Sequence, residues 1–527
     1  MSESDAHGAA KLGELLDSHV QAGQWPDVVA ILDEHWGAVL SSDPAAIQRA
    51  VNALPETVLE ANPRWALAAD YVNRYVTNGS TPTTIFRGTA PTPEPTNLLD
   101  VLAQLTSKIA ARRAGGRYAD AVDTAREARS LLDDADDATR ASLKQALPEI
   151  VFQWAMAWEY YGDTDRATRE YTESFDAAAA IGHRIAEASA AGALAWMHGL
   201  AGRNIQARMW LNRLPDTDGE WWGNRASVTA RFAQAQLFID DLDIETARDE
   251  LARVNLAGVP ERWPAQKYLL ALTETDPARC VDLLTQIDSS AASLPADALQ
   301  GGAWAPFVAI ARSILLSRLE NWPGARAALN DVAITSRDVD FGILQIRLWK
   351  AAAHLLTGDV TRARRKATVL VGASTASPRI LVGALAVAGA AACRLGETDA
   401  ARKQVSMALR LADQHRLYVP LTIVPAADWA SLFELLPDPL PTDIRNALLS
   451  DSLSTGADPF LRLSPRELAV ARSVASHHSM DEVAAQLFVS RNTVKTQLRS
   501  VYRKLDVRSR ASLEELALRH GYLNPEE

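Results

Sequence analysis

A turn residue recurs along this chain with an alanine five positions after it. The pairs are Gly116 and Ala121, Gly162 and Ala167, Gly202 and Ala207, Leu242 and Ala247, Thr273 and Ala278, Glu320 and Ala325, Gly358 and Ala363, and Gly396 and Ala401. Eight such units run from Ala121 to Ala401, at an average period of 40 residues. The residues between glycine and alanine are polar, as in Gly162-Asp163-Thr164-Asp165-Arg166. Apolar residues at helical spacing precede the turn, as in Leu348, Ala351, Ala352, Leu355 and Leu356, and follow it, as in Ala401, Val405, Ala408, Leu409 and Ala412. Each unit therefore reads as two helices joined at a glycine C-cap, with a small residue where the helices approach. One hairpin cannot bury its apolar face alone, so neighbours must stack into an all-α superhelix. Gly23-Gln24-Trp25-Pro26-Asp27-Val28 echoes Glu320-Asn321-Trp322-Pro323-Gly324-Ala325, which predicts a similar hairpin near the N-terminus.

A different pattern begins near residue 460. Leu463-Ser464-Pro465-Arg466-Glu467 and Ser479-Met480-Asp481-Glu482 are two capping boxes, each opening a short helix. Phe488-Val489-Ser490 forms the turn into a third helix, capped by Ser490. On that helix Val494, Leu498, Val501 and Leu505 fall on one stripe, while Lys495, Arg499, Arg503 and Lys504 show on the other face. A fourth helix opens at Ser509 or Ser512 and stops at Gly521. Two short helices, a tight turn and a basic helix read as a helix-turn-helix, and one buried and one cationic face suit a DNA major groove. Charge agrees. Residues 461–527 carry eleven Lys/Arg against eight Asp/Glu, so the remainder carries −14 within a total of −11. Nucleic-acid affinity is localised in the tail, and the acidic body does not track DNA.

This C-terminal stretch resembles the DNA-binding domain of the LuxR family. Leu463, Pro465, Arg466, Glu467, Glu482, Ala484, Leu487, Val489, Ser490, Thr493-Val494-Lys495, Leu498, Tyr502, Lys504-Leu505, Val507, Ser509 and Arg510 carry the resemblance over about 463–520. It implies that Lys495, Thr496 and Arg499 face the groove. It further implies that Thr493 and the neighbouring basic residues Arg491, Arg503 and Lys504 hold phosphates, and that Ser490 and Asn492 also lie at the DNA. The chain departs from the family at His477-His478, where a glycine is usual, at Met480-Asp481 in place of Asn-Lys, and at Gln497 in place of a frequent histidine. The family also implies a homodimer on two half-sites of a promoter, paired through the last helix, Ser512 to Arg519.

The body resembles tetratricopeptide repeats in a longer, looser version. From Leu54-Pro55-Glu56 through Asn62-Pro63-Arg64 it also resembles the helical solenoid of large LuxR regulators of the maltose-regulon activator type, over roughly 50–415. Those regulators usually carry an ATPase module, but no Gly-x-x-x-x-Gly-Lys-Ser/Thr occurs here, so the resemblance implies a member without that nucleotide switch. The expected organisation is helical hairpins over 1–77, a Pro/Thr-rich loop over 78–97, the solenoid over 98–416, a Pro-rich linker with short helices over 417–459, and the DNA-binding domain over 460–523. Ser452 to Asp458 reads as a flexible hinge.

Other chemistry is sparse. His183, His198 and His354 are isolated, and neither HExxH nor CxxC occurs, so neither an enzyme, a metal site nor a cofactor is expected. The Asp133-Asp134 and Asp136-Asp137 run reads as a solvated turn. Cys280 and Cys393 in apolar helical contexts fit a reduced cytoplasm. Met1 to Asp5 lacks the parts of a signal peptide. The apolar run from Ile380 to Cys393 falls short of the roughly 18 residues that span a bilayer, so no membrane association is expected. Trp154, Trp158, Trp196, Trp210, Trp221 and Trp222 concentrate between 150 and 225 and form a candidate ligand pocket. The expected function is a cytoplasmic, bacterial-type transcription regulator. Its solenoid senses a small molecule or protein, its reader binds promoter DNA, and RNA polymerase is a further expected partner. The alternative is an interaction scaffold with a degenerate DNA-binding domain.

Overall fold

The computed structural model describes residues 3–75, 93–216, 223–256, 259–294, 299, 302–332, 341–373, 376–436, 440–450, 458–476 and 479–523. Among the described residues every regular element is a helix, so the all-α expectation holds. The chain divides into two compact units. One comprises Met1–Leu237, Glu245–Gln266 and Ser290–Ala305; the other comprises Phe238–Ile244, Lys267–Ser289 and Pro306–Glu527.

The repeated turns have one geometry. Gly116, Gly162, Gly202, Gly358 and Gly396 all adopt positive φ, and so do Leu242 and Glu320 at the matching positions of their units. A left-handed non-glycine residue costs roughly 1 kcal/mol or more, so the turn is imposed at those two positions by the packing of its helices. The next amide reaches back across the turn, as from Asp163 to the Trp158 carbonyl (3.0 Å) and from Glu397 to the Ala392 carbonyl (2.9 Å). That same residue opens the second helix. Asp163, Asn321 and Asp359 each accept a bond from the amide three residues on. The repeat alanine stands four residues after this cap and is buried in the units built on Gly116, Gly162, Gly202, Leu242, Glu320, Gly358 and Gly396.

The Thr273 unit departs from this register. Ala278 is exposed, and Thr273 still ends its helix, Trp263–Thr273. Asp276 supplies the cap, with Pro277 first in the following helix, Pro277–Ala292. Four residues after that cap stands Cys280, fully buried, so cysteine takes the alanine's place. The N-terminal echo holds: Gly23 has positive φ, Gln24 precedes the helix Trp25–Ser42, and Val28 is buried.

Helices meet their sequence neighbours within each unit. In the first, Leu147–Tyr161 packs on Thr164–Ile181, which packs on Arg184–Ala201. In the second, Val360–Val371 packs on Pro378–Arg394, which packs on Thr398–His415. The apolar run of residues 380–393 lies in that middle helix. Its flanking Arg379 is buried and doubly bonded to Asp240 at 2.7 and 2.6 Å. Among the described residues no helix is long and apolar enough to cross a membrane.

The Pro-rich stretch from 417 is packed over most of its described length. Leu417, Leu421, Val424, Trp429 and Leu432 are buried, the Trp429 indole donates to the Leu421 carbonyl (3.1 Å), and Arg394 grips Asp428 at 2.7 and 2.8 Å. Its helices run Ala426–Phe433 and Thr442–Ser450. The prolines break the helical period without loosening the chain: Pro425 precedes a helix and Pro420 sits in the single turn Val419–Leu421. Most of the 78–97 loop, all of the hinge except Asp458, and the four-residue C-terminus lie outside the described residues.

Candidate nucleic-acid interface

Four helices build the C-terminal domain: Pro465–Ala475, Met480–Gln486, Arg491–Leu505 and Arg510–Arg519. Both capping boxes form. Ser464 receives the Glu467 amide and returns its own to the Glu467 carboxylate (2.7 Å), and Ser479 and Glu482 do the same (2.6 Å). Ser490 caps the third helix by accepting from the Thr493 amide (3.1 Å). The fourth helix is capped by Ser509, through the Ser512 amide (3.0 Å), so it begins two residues before Ser512.

The stripe read from the sequence is the buried one. Val494, Leu498, Val501 and Leu505 join a core with Phe460, Val470, Val474, Val483, Leu513 and Ala517. That core fixes which face remains outside. Arg491, Asn492, Lys495, Thr496, Arg499 and Arg503 are exposed, and Thr493 is half-buried. Lys495, Arg499 and Arg503 recur every four residues, which spaces them by about 6 Å along one side of the helix.

Two of the basic residues expected at phosphates have internal carboxylate partners. Lys504 donates to the Glu467 carboxylate (2.6 Å), which also receives the Ser500 hydroxyl (2.7 Å). Lys504 therefore clamps the third helix to the first. These bonds, led by Lys504, pull the Glu467 pKa down to about 2. Arg491 lies 3.4 Å from the Asp481 carboxylate, one of the departures noted above, with both side chains exposed. A solvent-exposed pair of this kind is weak, so phosphate can displace the carboxylate. The Thr496 hydroxyl donates back to the Asn492 carbonyl (3.0 Å), leaving its lone pairs outward.

Phe488 lies in the expected turn, but its exposure is not foreseen by the sequence: it has φ of 53° and is 95% exposed. Its apolarity gives no warning of this, because the signal is the turn itself: Val489 and Phe488 return their amides to Ala484 and Ala485. His477-His478 lies outside the described residues.

The domain docks on a repeat turn within the same compact unit. Tyr522 stacks on Phe460 (4.2 Å between ring centroids) and donates to Asp458 (2.6 Å), while Arg326 reaches both Tyr522 (3.3 Å) and Asp458 (3.5 Å). His520 approaches the Glu320 carbonyl at 3.3 Å. Asp458, expected in a flexible hinge, is buried in this contact.

Four tryptophans of the candidate pocket fall among the described residues. Trp154, Trp158 and Trp196 are buried among helices, with Trp154 bonded to Thr106 (3.0 Å) and Trp158 flanked by Arg126 and Arg166. Trp210 packs edge-on against Phe175. Trp221 and Trp222 lie outside the described residues. Asp136 caps the helix Asp137–Ser142, and among the described residues no group of acids, histidines and cysteines is arranged to hold a metal ion.

Comparison with known proteins bears on this domain. Residues 461–517 match the family model described as bacterial regulatory proteins, luxR family. A nitrate/nitrite response regulator protein homolog of Haemophilus influenzae is 38% identical over 98 residues, covering 16% of this chain and 47% of that protein. The oxygen regulatory protein NreC of Staphylococcus epidermidis is 28% identical over 121 residues, covering 23% of this chain and 50% of that protein. Its counterpart in Staphylococcus haemolyticus is 39% identical over 75 residues, covering 14% and 34%. The chain spans about half the length, or less, of the curated relatives it matches. Residues 461–517 of this chain are a LuxR-family helix-turn-helix domain.

Proposed function

We propose that this chain is a non-enzymatic transcriptional regulator that binds promoter DNA through the Arg491–Leu505 helix and takes its signal in the helical body. The observation that carries this is the capped helix itself. One face is locked into the domain core, and the other presents Lys495, Arg499 and Arg503 free of the core. In this reading Lys495, Thr496 and Arg499 meet base edges, and Ser490, Asn492, Thr493, Arg491 and Arg503 meet phosphates. Lys504 braces the helix through Glu467. Helix-turn-helix proteins read paired half-sites as dimers. Leu513 and Ala517 of the last helix serve the domain core, whereas Leu518 is exposed and offers an apolar contact for pairing.

The test is selection of genomic DNA by the purified full-length protein, followed by gel shifts on a recovered fragment. The expected result is recovery of discrete sites whose affinity falls with salt and whose base preference changes in Arg499→Ala. Recovery of no preferred sequence, or an Arg499→Ala protein with unchanged affinity and preference, refutes the reading.

A further inference from the structure

We propose that the first compact unit holds a binding site for a small organic amine with an aromatic or aliphatic body. The site is a cavity of about 840 Å³. That lies within the range of ligand sites, roughly 300–1,000 Å³. Its apolar wall includes Leu32, Trp36, Trp65 and Tyr71, with the Trp36 and Trp65 rings 5.6 Å apart.

Its charged groups decide the ligand's sign. Asp33, Glu149 and Glu261 line the cavity and stay partly exposed, while Arg64 and Arg113 lie more deeply buried. Both guanidinium groups are already committed. Arg64 donates to both oxygens of Asp33 (2.8 and 2.7 Å) and to the buried Asp100 (3.1 Å). Arg113 donates to Gln153 and to Glu261, each at 3.0 Å. Among the described residues Glu149 meets the Trp36 indole (3.3 Å) and the His183 ring (3.2 Å). Four carboxylates, Asp33, Asp100, Glu149 and Glu261, accompany two guanidinium groups and one imidazole, so acidic groups are in excess. An anionic ligand would meet net negative charge with its cationic partners already taken. An ammonium group beside Glu149 would balance that charge. Burial raises the Asp33 pKa even though Arg64 beside it acts to lower it.

Trp65 completes the apolar wall beside Trp36, which suits the aromatic or aliphatic body of the amine. Such a ligand deepens the proposed function by supplying its signal. Its binding, however, is measured without DNA, so failure here leaves the DNA-binding reading standing.

The experiment is calorimetry on the full-length protein with phenylethanolamine, mandelate and phenylethanediol. The three share the ring and hydroxyl and differ in charge. The expected result is that the amine binds at least tenfold tighter than mandelate, with the diol between them. Glu149→Gln, which keeps an acceptor for Trp36, should remove the amine's advantage over the diol. Trp65→Phe should weaken all three alike. Ala103→Trp, which fills the cavity, should abolish binding while circular dichroism reports an unchanged helical fold. No amine binding at millimolar concentration overturns the proposal. So does mandelate binding as tightly as the amine, or amine binding that survives Glu149→Gln or Ala103→Trp unchanged.

Discussion

Lys504 and Arg499 lie five residues apart on one helix and have opposite fates. Arg499 is exposed, whereas the Lys504 ammonium is held by Glu467 at 2.6 Å. Sequence pattern puts both on the cationic face because it cannot see the first helix, which supplies Glu467 from 37 residues away. Replacing Lys504 with alanine should cost the domain about 1.5 kcal/mol of stability, the lower end of the range for a hydrogen bond to a charged group, because the ammonium is partly exposed to solvent. It should leave the salt dependence of DNA binding nearly as it was. Arg499→Ala should spare stability and weaken specific binding by roughly 1–3 kcal/mol. Thermal melts paired with gel shifts at several salt concentrations separate the two effects. Glu467 adds a pH signature. Its pKa is lowered in the fold to about 2, so the stability it supplies is complete above its unfolded value and is lost as pH falls through the acid range towards 2. The wild-type melting temperature should therefore drop more steeply below about pH 4.3, the unperturbed glutamate value, than that of Glu467→Gln. Parallel curves for the two proteins would show that the ion pair contributes nothing.

Helical hairpins were legible because their constraint is local. The turn, the cap and the buried small residue all lie within a few positions, and each has a residue preference that physics enforces. The reading failed at Thr273 because a spacing was matched without its cap. Counting from Asp276 instead of from the turn residue finds Cys280, which is buried where the other units place alanine. The Pro-rich stretch after 417 was read as a linker for the converse reason: prolines erase helical periodicity, yet Trp429 and Leu432 still find a core. The cap-plus-four rule predicts a size limit. Ala363, fully buried four residues after Asp359, should tolerate leucine poorly, at a cost of roughly 1–3 kcal/mol from overpacking. Cys280→Ala should be mild, about 1 kcal/mol, since it restores the residue used elsewhere. Urea unfolding of both variants checks the rule, and equal costs would count against it.

At the scale of the whole molecule, the docking of the reader on a repeat turn was invisible in the sequence. It joins Glu320 and Arg326 to His520 and Tyr522, about two hundred residues on, and no periodic pattern links them. Its signature is a single glycine. Gly521 has φ of 69°, and a Cβ there would stand 2.0 Å from the Asn321 side chain. Two penalties therefore fall on Gly521→Ala: left-handed strain of about 1 kcal/mol and a collision that must push the reader off the turn. The collision can be removed separately. The three nearest atoms all belong to the Asn321 side chain, and glycine is a tolerable N-cap, costing a few tenths of a kcal/mol against asparagine. Gly521→Ala should raise hydrogen exchange at 458–463 and 519–523 together with 319–326, as the two faces part. Adding Asn321→Gly should return most of the protection. If Gly521→Ala alone leaves both segments as protected as in the wild type, the docked arrangement is not the one the protein keeps in solution. If the double variant stays as open as the single one, strain at residue 521, rather than close approach, governs the contact. Restoration by the second substitution would make this turn the lever through which a change in the helical body can alter how the reader is held, because a ligand shifts such an equilibrium only by favouring one of its two states.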